Sequence, residues 1–164
     1  MNRYSDFRSN IKSGDLLAFT HRPWKSVYDA KIQMVRVFTK SEYSHVGVAV
    51  VLGGRVWCLE AVTPKIRLYP LSKLGDFWHI TTNTHWNAEV EEFAFSKIGE
   101  DYSQWEALMA FFNKSYKDNL WYCDELARAI YEKAGLGLKG DLTPAGLVIE
   151  MQQRGGVTTY VTSD

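Results

Sequence analysis

Cysteine and proline are scarce in this 164-residue chain, with two of the first and four of the second. Two cysteines cannot build the disulfide framework of a small secreted domain. An excess of charge of either sign is also missing. Nineteen Lys and Arg balance nineteen Asp and Glu, so no long-range field draws the protein to nucleic acid or anionic lipid. Long apolar runs are absent too. Stretches such as "VGVAVVL" have strand length, far below the roughly 20 residues a membrane-crossing helix needs. The opening "MNRYSDFRSNIKSGD" is polar and has no apolar signal segment. The expected location is therefore the cytoplasm, with lysis or a virus particle as the route to any cell-wall target. His21, His45, His79 and His85 are scattered and form no HExxH pattern, so no metal and no other cofactor is expected. Repeats, low-complexity tracts and Pro/Gly/Ser linkers are lacking, which favours a single domain over residues 1–164.

What is present is apolar and aromatic. Hydrophobic residues make up 46% of the chain, with 6 Trp, 9 Tyr and 8 Phe, enough for a bulky core. Strands are predicted at "DLLAFT", in "SHVGVAVVL" and "RVWCLEAV" around a Gly-Gly turn, and at "KIRLYPL", "FWHITT" and "GVTTYVT". Helices are predicted over residues 26–38, 87–99, 102–112, 123–135 and 143–156. Asn87 and Thr143 stand as N-caps, Pro144 as the first helical residue, and Gly99 and Gly135 as stops. Helices and strands do not alternate strictly, so the fold class is α+β with a mostly antiparallel sheet.

A two-residue turn at Gly53–Gly54 fixes the hairpin register. Leu52 then faces Arg55, Ala49 faces Cys58, Gly47 faces Glu60 and His45 faces Val62. Side chains alternate across a strand. One face therefore carries His45, Gly47, Ala49, Cys58 and Glu60, and the other Val46, Val48, Val50, Trp57, Leu59 and Ala61. On the first face His45 and Glu60 are diagonal neighbours within side-chain reach. A carboxylate so placed fixes an imidazole's tautomer and stabilises its cation.

In "CDELARAIYEKAG", Cys123, Leu126, Ala127, Ile130 and Ala134 share a helix face, so Cys123 lies in the first turn pointing inward. A helix N-terminus and an imidazolium both favour a thiolate, while Asp124 and Glu125 oppose it by like charge. If this helix packs on the small-residue face, Cys123 meets His45 with Glu60 behind it: nucleophile, base and orienter. Backbone N–H groups at the helix start would serve an oxyanion. Cys58 reads as a packing residue, His79 and His85 as ordinary strand and loop residues, and residues 102–112 as core. His21 and Trp24 are candidates for a cleft wall.

The pieces "GDLLAF", "SHVGVAV", "LEAV", "IGEDY", "WYCDELARAIYEKAG" and "LTP" resemble, in order and spacing, the circularly permuted papain-like cysteine hydrolases. This is the permuted, YiiX-like branch of the NlpC-type amidases. The resemblance spans residues 14–144. It implies a permuted papain-like fold, Cys123 as nucleophile, His45 as general base, Glu60 as the orienting residue and Tyr102 beside the oxyanion. It also implies acyl-enzyme chemistry on a peptide, peptidoglycan-type or lipid-linked acyl substrate. The family usually shows Cys-Ser-Glu-Leu where this chain has Cys123-Asp124-Glu125-Leu126, an added acid that bears on thiol pKa or substrate choice. The leading expectation is a cysteine amidase or peptidase. The alternatives are a thioesterase or acyltransferase on lipid-linked acyl groups, and a binding or structural module with a vestigial triad.

Overall fold

The computed structural model describes residues 2–20, 43–101, 123–141 and 143–164. The predicted helices over 26–38 and 102–112, with His21, Trp24 and Tyr102, lie outside the described residues. The described chain is α+β. Its strands are β1 (Asn2–Arg3), β2 (Leu16–Phe19), β3 (His45–Leu52), β4 (Arg55–Val62), β5 (Lys65–Pro70), β6 (Phe77–Ile80) and β7 (Thr158–Thr162). They form one mixed sheet in the order β1-β7-β6-β2-β3-β4-β5. Every pairing is antiparallel except that of β1 with β7. The helices are α1 (Tyr4–Phe7), α2 (Ala88–Ser96), α3 (Cys123–Lys133) and α4 (Pro144–Gln153).

Local chemistry sets these elements. The β3–β4 hairpin closes on Gly53 and Gly54 at φ 57° and 72°, the doubly positive turn that matches strand twist and that glycine adopts without a Cβ penalty. Leu52 accordingly faces Arg55 and Ala49 faces Cys58. Asn87 caps α2 by accepting from the Val90 N–H, and Thr143 caps α4 by accepting from the Gly146 N–H, with Pro144 in the first turn. After α2 the chain folds back along the outer edge of β5. The Ile66 N–H donates to the Glu100 carbonyl and the Gly99 N–H to the Ile66 carbonyl, each at 2.9 Å. That return covers a sheet edge otherwise open to pairing with another chain.

The sheet has apolar cover on both sides. On one, Leu126, Ala127, Ile130 and Tyr131 of α3 lie against Val46, Val48, Val50, Leu59 and Ala61, joined by Val90 of α2 and Leu147 of α4. On the other, Tyr4, Ile11, Leu71 and Leu74 cover Leu17, Ala49, Cys58 and Phe77. The expectation that α3 covers the small-residue face is therefore corrected: it packs on the valine face. Leu126 and Ile130 are each at most 1% exposed, and full burial of such a side chain stabilises by about 1.5–3 kcal/mol. The valine stripe offers α3 that apolar area. The small residues of the opposite face serve the sheet itself, since a Cβ on Gly47 would lie 2.4 Å from Cys58 Sγ.

Candidate active site

His45 opens β3 and Cys123 opens α3 as described. Although α3 lies on the opposite face from His45, both residues stand at the same end of the sheet, where Cys123 is near enough to the His45 ring to raise its pKa. His45 Nε2 lies 2.7 Å from Glu60 Oε2. With Nε2 engaged, Nδ1 is the ring nitrogen left for sulfur. The His45 side chain is 24% exposed and that of Glu60 only 3%, so the imidazole sits at the rim while its carboxylate partner lies inside. The Phe19 ring, 5.6 Å from the imidazole centroid to centroid, lines its other side.

The electrostatics follow from this packing. Burial alone pulls the His45 ring below its ordinary 6.5. The hydrogen bonds and charges of Cys123 and Glu60 oppose it and prevail, raising the ring to about 10. Burial likewise pushes the Glu60 carboxyl up, but His45 and Arg67 overcome it and hold the carboxyl below its usual range. The arrangement favours the imidazolium form of His45 beside an ionised Glu60.

Arg67 was not foreseen. Its Nε and Nη2 donate to Glu60 Oε1 at 2.9 and 2.7 Å, and its guanidinium lies 4.4 Å over the Tyr69 ring. The signal was present in the sequence. A two-residue Thr63–Pro64 connection, read like the Gly-Gly turn, sets Glu60 opposite Arg67, as the strand register has it.

Two other residues differ from expectation. His79 is no ordinary strand residue but part of a buried pair, with Nε2 2.8 Å from Asp15 Oδ2. Asp15 also accepts from the Lys12 and Thr82 N–H groups, tying the start of β2 to the end of β6. Asp124, beside the thiol, is 8% exposed. Burial pushes its carboxyl up, offset only in part by its own N–H and by Arg128. Cys58 is fully buried in the packing role expected of it, and burial, with Glu60 nearby, pushes its thiol well up. His85 is an exposed loop residue, as expected, beside a cleft of about 370 Å³ that also takes in Leu136 and Arg154. That cleft lies at the far end of α3, an 11-residue helix and so about 16 Å long.

Comparison with known proteins bears on the fold. The chain matches no protein-family model and no curated protein. Among solved structures it is similar to the metalloprotein YiiX from Escherichia coli O157:H7, with a TM-score of 0.57 and 22% identity over 79% of this chain and 69% of that one. At this identity the likeness shows a shared YiiX-like α+β fold. A metal centre does not fit the described residues. No three His, Cys, Asp or Glu side chains among them converge on a point where an ion would sit, and both Glu60 oxygens are engaged, by Arg67 and by His45. No helix among the described residues is long and apolar enough to cross a membrane.

Proposed function

We propose that this chain is a cysteine hydrolase of the permuted papain-like type, cleaving an amide bond in a peptide or cell-wall peptide through an acyl-enzyme. The observation that carries the reading is His45 Nε2 2.7 Å from Glu60 Oε2, with Cys123 near enough to the same ring to raise its pKa. It joins a nucleophile, a base and an orienter in the chain order His, Glu, Cys that the permuted branch uses.

In this reading His45 Nδ1 takes the thiol proton, and the thiolate attacks the substrate carbonyl carbon. The resulting oxyanion meets backbone N–H groups at the start of α3, where the helix dipole is positive. The imidazolium then returns its proton to the leaving amine as the C–N bond breaks, leaving a thioester on Cys123. Water, deprotonated by the same ring, hydrolyses the thioester and releases the carboxylic acid and the free thiol. Glu60 stays ionised throughout and holds the ring's orientation.

The test combines peptide and acyl-ester substrate panels with two variants. Cys123→Ala and His45→Ala each abolish turnover while the thermal melt stays cooperative. An active Cys123→Ala protein ends the proposal, and turnover confined to acyl esters moves it to the thioesterase reading.

A further inference from the structure

We infer that Arg67 is a positioning residue of this site, holding Glu60 so that one carboxylate oxygen is reserved for His45; the inference rests on the cysteine-hydrolase reading above. Both Arg67 donors meet the same oxygen, Oε1, at 2.9 and 2.7 Å. Oε2 is thereby left to His45 Nε2 at 2.7 Å. A carboxylate only 3% exposed has little water to hold its charge or its rotamer. With Arg67 in place it has two donors in one plane on one side and the imidazole on the other.

Arg67 is itself held. It stands directly across from Glu60 in the β4–β5 register. Its guanidinium rests on the ring of Tyr69, two residues along the same strand and on the same face. The side chain is 45% exposed, so its unused edge keeps its water while the engaged edge is fixed. A lysine would bring charge without the planar pair of donors.

Among the described residues, the charged and titratable groups of this unit include the buried Asp124, which follows Cys123 on α3. Glu60 is faced by His45 from β3, Arg67 from β5 and Cys58 on its own strand, and His45 by Cys123 from α3. Arg67 is the one fixed cation among them. Without it, the imidazole is the one partner left to Glu60 among the described residues to compensate its burial. The carboxyl then takes up a proton more readily or rotates away. In either case the imidazolium loses support, and with it the thiolate.

The experiment is the pH dependence of Cys123 alkylation by iodoacetamide, followed by peptide mass spectrometry from pH 4 to 9 in wild type, Arg67→Leu and Arg67→Lys. A displacement of one pH unit is a tenfold change in thiolate fraction at the foot of the curve. Arg67→Leu is expected to alkylate about tenfold more slowly than wild type at pH 6, with its half-maximal rate moved to higher pH. Arg67→Lys falls between the two. A purely structural arginine would lower the melting temperature and leave the pH profile in place. If Arg67→Leu does not fold, Arg67→Lys decides. A wild-type profile in every folded Arg67 variant overturns the inference while leaving the hydrolase reading intact. Wild-type Cys123 that reacts at pH 6 no faster than a free thiol overturns both.

Discussion

Glu60→Gln removes one charge from the centre of the site and keeps an oxygen acceptor in place. The native ring is raised from 6.5 to about 10, which corresponds to about 5 kcal/mol in favour of the imidazolium. The neighbouring Cys123 and Glu60 produce that rise, against the opposing cost of burial. Removing either is therefore expected to lower the ring's titration midpoint by at least one pH unit, a tenfold loss of proton affinity. The assay is an NMR titration of the histidine Cε1–H signals from pH 5 to 10.5, with His45 assigned by a His45→Asn variant among the four histidines. In wild type the His45 signal stays at its protonated position through neutral pH. Glu60→Gln brings the midpoint down, and Glu60→Gln with Cys123→Ala brings it down further. The carboxyl has a signature of its own. Held below its ordinary 4.5, Glu60 contributes stability that is full above that value and is lost as pH falls through its folded pKa. Glu60→Gln loses that part of the acid sensitivity. A wild-type His45 that titrates near 6.5, or one whose midpoint is the same in Glu60→Gln, refutes the reasoning.

Two further predictions concern the scaffold. In Gly47→Ala the new methyl meets Cys58 Sγ at 2.4 Å and the Leu59 carbonyl at 3.0 Å. It is expected to cost about 1–3 kcal/mol in urea unfolding, and pairing it with Cys58→Ala should recover part of that; no recovery refutes the contact. Asp15→Ala strips the buried His79 ring and the Thr82 N–H of their acceptor and is expected to cost about 3–5 kcal/mol. A loss below 1 kcal/mol would show that the pair is no structural tie.

Much of the local structure was legible because it rests on local chemistry. Asn87 and Thr143 cap their helices, and the Gly53–Gly54 turn sets the β3–β4 register, because each depends on residues a few positions apart. The neighbourhood of His45 and Glu60 followed from that register. The side of the sheet that receives α3 did not. Two faces were on offer, and the small residues Gly47, Ala49 and Cys58 looked like room for a helix. They are instead filled by Tyr4, Ile11, Leu71 and Leu74 from remote parts of the chain, whose placement no turn announces. Arg67 was within reach by extending the hairpin logic one strand further. The Asp15–His79 pair was not, since β2 and β6 pair directly but are far apart in the chain and joined by no tight turn. Tyr102, offered by family resemblance, lies outside the described residues.

The central claim is that the Cys123 sulfur takes up an acyl group with His45 as its base. Its most direct test is intact-protein and peptide mass spectrometry after mixing with p-nitrophenyl acetate at pH 6.5, quenched within the first turnover. The account predicts a burst of nitrophenolate matched by a single acetyl group on Cys123, absent in His45→Ala and never found on Cys58. Acetylation that spares Cys123, or that proceeds equally well in His45→Ala, would contradict it.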